Sequence, residues 1–339
     1  MANTAPAFVT VHPSFIHPEI VLPYNQASNA FELLPGGDMA VRLGEGDKAV
    51  FFKRLDVRTR MAVGQSAYNN LPSCELVLSQ FSMPTYLQQV RAEYNHHDIS
   101  AYNAWGVSLP EAQRLAMHQA HNQNARVALL FGYNPANGEG LLNANGATAV
   151  NLPADSNGNT TIATYDNGQM AFFLNTLIQQ IKTRTNQMGI GREFVVIGPQ
   201  RALSQLEYNV VSLMQFQRPG GGIESSKGLV QEVLMKNGDK LTWGYDDTLI
   251  GKGAGGLDAI LIVMPQVQRP QAAKHNTNVF ATLMPGFDAC TAMFCDMAAP
   301  REIPTPIPGG AIDILQEIRL TPGLGVRPEA ITVLSAQYA

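Results

Sequence analysis

The stretch that decides the fold is "LFGYNPANGEGLLNANG", which spans Leu130–Gly146 and holds four glycines and four asparagines. A strongly helical pattern leads into it. A glycine-rich turn after regular structure either binds a phosphate or a substrate, or redirects the chain. A phosphate loop follows a strand and has the spacing G-x-x-x-x-G-K-[ST], and this stretch offers neither feature. The stretch is therefore predicted to be a junction between two parts of the molecule.

The segment before the junction predicts one long helix over residues 108–131. Ser108 and Glu111 have the spacing of a capping box, and Pro110 falls in the first turn, where its missing N–H is harmless. The helix would be about 35 Å long, and Gly132 supplies its stop. Apolar residues at helical spacing predict one packed face, made of Leu109, Ala112, Ala116, Ala120, Val127 and Phe131.

The chain upstream of this helix divides into an arm and a hairpin. Residues 1–40 carry Pro, Asn and Gly among scattered large apolar residues with little periodicity, which predicts an extended arm that needs another surface to become ordered. Residues 41–92 contain two alternating segments around "GQSAYNNLPS" (64–73), which predicts a long β-hairpin. A lone hairpin is marginally stable, so it too needs a surface to pack on.

Helices and strands alternate after Gly146. We predict helices over residues 170–189 and from residue 199, and buried strands over 192–198 and 257–265. The pair Asn237-Gly238 favours a type I′ turn and predicts a hairpin within residues 229–247. Further strands are predicted over residues 278–284 and, joined by a Pro/Gly turn, within 309–337. The fold class is therefore α+β.

Composition excludes several classes of function. The net charge of −4 and the pI near 6.0 leave no overall basic face for tight nucleic-acid binding. Neither a membrane-spanning apolar run nor a secretory signal is apparent. Charged residues make up 15% of the chain, against about 25% in a typical domain. Identical copies of such a surface repel each other weakly, which favours self-association.

No constellation of residues predicts catalysis. "GKG" at residues 251–253 lacks the spacing of a phosphate loop, and "GQSAY" at 64–68 lacks the last glycine of a nucleophile elbow. His118 and His121, with Glu111 near the same helical stripe, are the best metal ligands on offer, but the H-E-x-x-H spacing is missing. His96, His97 and Asp98 would have to be recruited. We predict no catalytic residue, no cofactor and no metal.

The order of these parts resembles the major capsid proteins of tailed bacteriophages, the HK97-like fold family. "FGYNPANGEGLLN" (131–143) is similar to the turn by which their long spine helix enters the axial domain. "GREFVVIGPQRALSQLE" (191–207) is similar to an element of that axial domain. The resemblance implies an α+β HK97-like capsid fold with an N-terminal arm, an extended β-hairpin loop, a peripheral domain with a spine helix and an α/β axial domain.

The resemblance also implies domain boundaries. These are an N-terminal arm at 1–40, an extended loop at 41–92, a peripheral domain at 93–146 with its spine helix at 108–131, an axial domain at 147–310, and strands that return to the peripheral domain at 311–339. It implies a hinge between the two domains made of Gly132, Gly138, Gly140, Leu141, Leu142 and Asn143. It implies intersubunit contacts through the loop residues Lys53, Tyr68, Asn69, Asn70, Leu71 and Cys74. If the junction is a hinge, Gly140→Val should impair assembly more than subunit folding.

By the same resemblance, the expected function is structural. The chain would assemble into hexamers and pentamers of an icosahedral shell around double-stranded DNA, in the virion, after assembly in the bacterial cytoplasm. Expected partners are portal, scaffold and decoration proteins, with non-specific DNA contact and no membrane. One alternative keeps the fold but makes an encapsulin-like compartment shell with enzyme cargo. The other, from a different class, is a cytosolic metal-dependent enzyme that uses His118, His121 and Glu111.

Overall fold

The structure is a computed structural model that describes residues 33–34, 41–58, 75–104, 106–185, 191–208, 210–211, 224–266, 291–297, 299–308 and 310–339. Among them, no helix has the length and apolar character needed to cross a membrane. The described α-helices are α1 His96–Asn103, α2 Leu109–Phe131, α3 Asn167–Arg184, α4 Gln200–Tyr208 and α5 Ser226–Lys236. Short 3-10 turns lie at Pro135–Asn137, Leu141–Asn143, Asp247–Leu249, Ala254–Gly256 and Pro328–Ala330.

The described strands are mostly short. In the first half of the chain they are β1 Val41–Arg42, β2 Ala49–Arg58, β3 Glu75–Pro84, β4 Tyr86–Asn95, β5 Thr148–Asn151 and β6 Glu193–Gly198. Next come β7 Val210–Val211, β8 Glu224–Ser225, β9 Lys240–Tyr245, β10 Asp258–Val263, β11 Ala292–Met293 and β12 Cys295–Asp296. The last are β13 Arg301–Ile307, β14 Ala311–Leu320, β15 Leu324–Gly325 and β16 Ile331–Ala336.

A central five-stranded sheet has the order β5-β16-β10-β6-β9. Its middle strands β6, β10 and β16 are almost wholly apolar because both faces of the sheet are covered. On one face, alternate residues such as Phe194 and Val196 pack against α3, α4 and α5. On the other face, Val195 and Ile197 pack against the end of α2. Two cores therefore share one sheet.

A peripheral sheet joins β4, β14, β13, β12 and β1, and its longest ladder pairs β4 with β14 over their full length. Strand β4 alternates, with Gln88 and Tyr94 facing inward and Leu87 and Arg91 facing solvent. The inward face packs on α2, through a cluster that includes Tyr94, Leu109, Met117 and Ile314.

The predicted hairpin is confirmed by β2 and β3, which pair antiparallel from Ala49↔Pro84 to Arg58↔Glu75. Among the described strands they pair only with each other. The predicted strands at β6, β10, β14 and β16 and the helices at α3 and α4 are also confirmed. The predicted tip of the hairpin, most of the predicted arm and the predicted strand at 278–284 lie outside the described residues.

The long helix was predicted with correct bounds but with the wrong buried face. Leu109 is buried as predicted, but Ala112, Ala116 and Ala120 are exposed, and Met117 and His121 are buried in their place. Alanine has little surface to bury, so the larger side chains decide which face of the helix meets the sheet. Val127 is also exposed, and only the last turn of α2 is buried on several sides.

Two further local predictions are wrong. Ser108 stands at the N-cap of α2, but its side chain makes no capping hydrogen bond, so the predicted capping box does not form. A capping box forms instead at α1, where the side chains and backbone N–H groups of Asn95 and Asp98 bond reciprocally at 2.9 and 3.3 Å. The predicted hairpin at Asn237-Gly238 is a turn from α5 into β9, because the apolar residues before it follow a helical period.

The proposed boundary at residue 311 does not follow the sheets. Strand β13, before the boundary, pairs with β14 in the peripheral sheet. Strand β16, after it, lies in the central sheet between β5 and β10. The last part of the chain therefore contributes to both sheets and ties them together.

Candidate functional site

The predicted hinge residues lie where α2 leaves the peripheral sheet and meets the central sheet. Gly132 caps the helix with φ +66°, and a Cβ there would approach the backbone of Glu139 to 2.5 Å. Gly140 has φ +83° and ψ 149°, a region that only glycine adopts without strain. A Cβ at Gly140 would overlap the carbonyl group of Phe131. The two glycines are needed because two backbone segments cross in contact.

Glu139 fills the space inside this turn and is fully buried. Its Oε2 accepts hydrogen bonds from the backbone N–H groups of Tyr133 at 3.2 Å and Asn134 at 2.8 Å. Its Oε1 accepts a hydrogen bond from the Tyr86 hydroxyl at 2.9 Å. A buried carboxylate is stable only when donors replace water, and three donors do so here.

Asn143 and Gly323 close the junction from two other sides. The Asn143 side-chain amide donates to the carbonyl oxygens of Phe131 at 3.0 Å and Glu139 at 3.3 Å. The Gly140 N–H donates to the Gly323 carbonyl at 2.8 Å, and the Gly323 N–H donates to the Ala128 carbonyl at 2.9 Å. The loop after β14 is therefore hydrogen-bonded to both the helix end and the turn.

The remaining predicted hinge residues are also packed. Leu141 is fully buried in the cluster that joins the end of α2 to the central sheet, and Leu142 packs against the same cluster. Gly138 ends a 3-10 turn in the left-handed conformation. The structure thus brings all six predicted residues together.

These contacts favour a fixed junction over a hinge. Any rotation between the sheets at this point would break the bonds of Glu139, Asn143 and Gly323 together. On this geometry we expect Gly140→Val to impair folding of the subunit itself, because a Cβ at Gly140 would overlap the backbone of the same subunit. Whether the junction bends in an assembled shell stays a prediction.

Two tyrosines surround the Glu139 carboxylate. The rings of Tyr86 and Tyr133 lie with their centroids 4.7 Å apart. Burial raises the pKa of Tyr133 to about 12, with smaller contributions from Tyr86 and Glu139. Burial also raises the pKa of Tyr86, and the hydrogen bond to Glu139 raises it further. Both phenols therefore stay protonated beyond their usual range, and the Tyr86 phenol can keep donating to the carboxylate.

The hairpin is the second candidate site. Phe51 and Leu78 are each 65% exposed, which is unusual for large apolar side chains. Its root is anchored, since Met83 is buried with Leu43, Met293 and Cys295. Lys53 lies in β2 opposite Gln80. The other predicted contact residues, Tyr68, Asn69, Asn70, Leu71 and Cys74, lie outside the described residues.

The candidate metal ligands of the enzyme alternative are not assembled into a site. His121 is buried while His118 and Glu111 are exposed. Burial lowers the pKa of His121, and the charge of His118 lowers it further. Asp98 is engaged in the cap of α1. Across the described part of the chain, no group of three or more His, Cys, Asp and Glu side chains is placed to hold a metal ion, so the geometry gives the metal-enzyme alternative no support.

Sequence reasoning missed Glu139, Tyr86 and Gly323. The sequence did offer one signal for Glu139, which lies between two glycines in "GEG" at 138–140. Glycines allow backbone segments to approach closely, and the side chain between them can then be enclosed. Tyr86 and Gly323 are remote in sequence from the junction, and no local pattern marks them.

Comparison with known proteins agrees with this architecture. Residues 62–218, slightly under half of the chain, match the family described as "Major capsid protein". The fold is similar to the capsid of Myoviridae phage XM1, with a TM-score of 0.68 and 12% identity over 95% of this chain and 96% of that chain. It is also similar to a structure from Microbacterium phage Oxtober96, with a TM-score of 0.57 and 11% identity over 96% of each chain. The capsid of cyanophage P-SCSP1u follows, with a TM-score of 0.53 and 13% identity over 98% of this chain and 94% of that chain. A search of curated proteins gave no match.

These likenesses show that the chain has the fold of phage capsid proteins.

Proposed function

We propose that this chain is the repeating subunit of the icosahedral head shell of a tailed bacteriophage, where hexamers and pentamers enclose double-stranded DNA. The observation that carries the proposal is the full-length likeness to phage capsid structures, above all the capsid of phage XM1. The role is structural, and the proposal requires no catalytic residue, cofactor or metal.

The hairpin supports assembly from identical copies. Phe51 and Leu78 are exposed on β2 and β3, and the described part of the subunit offers them no covering surface. Burying apolar side chains against a neighbouring copy removes this surface from water. Many such contacts per shell add through multivalency, so that weak pairwise contacts hold a stable particle.

The charge of the chain fits a shell. With a net charge of −4 per subunit, repulsion between copies is small. The same charge argues that any contact with packaged DNA is non-specific and relies on counterions. We propose the virion as the site of action and the host cytoplasm as the site of assembly, with portal, scaffold and decoration proteins as partners.

The direct test is electron microscopy of the purified chain, expressed with and without its neighbouring phage genes. We expect closed particles of uniform diameter. A compact monomer that stays monomeric over all protein and salt concentrations, with a protected hairpin, would contradict the proposal.

The contents of the particles separate phage from the compartment alternative. Particles that hold DNA and copurify with portal and tail proteins support the phage shell. Particles that hold a single enzyme cargo and form from this gene alone would instead indicate an encapsulin-like compartment.

A further inference from the structure

We propose that Glu139 is a positioning residue that sets the direction in which the β2–β3 hairpin leaves the subunit. The inference rests on the proposed function, because the direction of the hairpin matters where the hairpin meets a neighbouring copy. It goes beyond that function by assigning the geometry of the contact to one buried carboxylate.

A very short connection joins the hairpin to the rest of the subunit. Strand β3 ends at Pro84 and β4 begins at Tyr86, so only Thr85 lies between them. Thr85 is hydrogen-bonded to the two residues that immediately precede β2. Its N–H donates to the Lys48 carbonyl at 3.1 Å, and its hydroxyl donates to the Asp47 carbonyl at 2.5 Å. A connection of one residue allows little independent motion, so the position of Tyr86 fixes the root of the hairpin.

Tyr86 is held from the side by Glu139. Its hydroxyl donates to the carboxylate at 2.9 Å, and its ring lies against that of Tyr133. The carboxylate in turn accepts the N–H groups of Tyr133 and Asn134, immediately after the end of α2. Glu139 therefore links the hairpin root directly to the turn that follows the long helix.

Part of the remaining support of the hairpin is apolar and less directional, while Thr85 also accepts a hydrogen bond from Arg319 at 3.3 Å and Tyr86 pairs with Leu320 in the ladder to β14. Met83 packs with Leu43, Met293 and Cys295, contacts that tolerate small rotations of the root. Hydrogen bonds to a buried charge have a preferred geometry and weaken steeply when it is lost. The Glu139–Tyr86 bond is thus the directional contact that joins the hairpin root to the end of α2, and we infer that it resists a swing of the hairpin on that side.

The test compares Tyr86→Phe with Tyr94→Phe in the full-length protein. Tyr86→Phe keeps the ring against Tyr133 and removes the hydroxyl that donates to Glu139. Tyr94 lies further along the same strand, in the cluster under α2, and serves as the matched control. Hydrogen exchange is measured on the soluble subunit, and particle diameters are measured by electron microscopy.

We expect amide exchange at Thr85 and Tyr86 to speed up by about tenfold in Tyr86→Phe, the effect of losing one hydrogen bond to a charged group. We also expect its particles to vary in diameter, while Tyr94→Phe particles stay uniform. Unchanged exchange with uniform Tyr86→Phe particles overturns the inference. Failure of the wild-type chain to form any particle contradicts the proposed function instead, so the two failures are distinguishable.

A second measurement needs no variant and covers the case in which Tyr86→Phe does not fold. In the wild-type protein, the amides of Tyr133 and Asn134 lose their acceptor only when Glu139 moves. If Glu139 holds the root, the amides of Tyr86, Tyr133 and Asn134 exchange in one cooperative opening with a common free energy. Exchange of Tyr86 by a separate, easier opening would refute the positioning role.

Discussion

Gly140 shows how a single residue constrains the junction. Its φ of +83° and its contact with the Phe131 backbone leave no space for a Cβ atom. The sequence predicted Gly140 as a hinge residue. In the folded subunit it lies where two backbone segments cross in close contact. Close packing of this kind resists rotation, since interiors transmit strain and do not absorb it.

Gly140→Ala is expected to destabilise the subunit by about 3 kcal/mol or more, because backbone strain and steric overlap add. Chemical denaturation of the soluble subunit measures the loss. Gly46→Ala is the control, because a Cβ there meets nothing within 4 Å and its backbone needs no positive φ. Equal stability of the two variants would contradict the geometry.

The raised pKa of Tyr133 predicts that the folded protein loses stability at alkaline pH. Its pKa is about 12 in the folded protein, against 10.0 for the free side chain. The folded state therefore holds this proton more tightly than the unfolded state does. The stabilisation is fully present below pH 10 and is lost as the pH rises from 10 towards about 12.

The free energy of unfolding of wild type and of Tyr133→Phe is measured from about pH 9 to about pH 12. This range spans the pKa of Tyr133 in the unfolded and in the folded protein. We expect the wild type to lose stability more steeply than Tyr133→Phe. Gly46→Ala should keep the wild-type slope. Parallel curves for wild type and Tyr133→Phe would show that Tyr133 does not contribute.

Strand β13 illustrates how an element limits its own pairing. Among the described strands it pairs with β14 alone, so its other side is an edge. Pro304 and Pro306 lie two residues apart, and their nitrogens therefore face the same way. Because the ladder to β14 continues past both residues, these nitrogens face the open edge, where a missing N–H blocks pairing with another chain.

Pro304→Val is expected to increase aggregation of the subunit, because it restores an N–H on the open edge and raises β-propensity. Light scattering at a fixed subunit concentration measures the rate. Thr305→Val is the matched control, since it raises β-propensity on the same strand without adding an edge N–H. The edge argument fails if Thr305→Val aggregates as fast as Pro304→Val.

In the whole molecule, the subunit consists of a packed body and a hairpin that shares little of the core. The body contains both sheets, joined by the buried cluster at the end of α2 and by the strands β14 and β16. The hairpin has a buried root at Met83 and exposes Phe51 and Leu78. Stability and assembly are therefore expected to depend on different residues.

Leu78→Glu is expected to change the stability of the free subunit by less than about 0.5 kcal/mol, the usual range for an exposed position. It should abolish or strongly reduce particle formation, because a charge replaces an apolar contact with a neighbouring copy. Thermal unfolding and particle yield measure the two effects. Gln80→Glu adds the same charge at another exposed position of β3 and should assemble better than Leu78→Glu. Normal particle yield from Leu78→Glu would remove this residue from the proposed interface.

Local sequence was enough for many of the elements and for their order. The long helix, the hairpin and the apolar strands of the central sheet follow from periodicity, and the end of the helix at Gly132 follows from glycine's freedom at positive φ. The stretch at residues 130–146 begins where the long helix ends, as the helical pattern predicted. These features depend on residues within a few positions of each other, and so a sequence pattern can carry them.

Tertiary structure alone decided the buried face of α2, the division of β14 and β16 between two sheets, and the close packing of the junction. Met117 is buried in place of the alanines because β4 and β14 lie beneath it, and β14 comes from a distant part of the chain. The surroundings of Glu139 also depend on distant parts of the chain, because Tyr86 donates a hydrogen bond to its carboxylate and Gly323 accepts one from the neighbouring Gly140. Local sequence patterns indicate which side chains favour burial. Long-range contacts determine which of those side chains are buried in the folded protein.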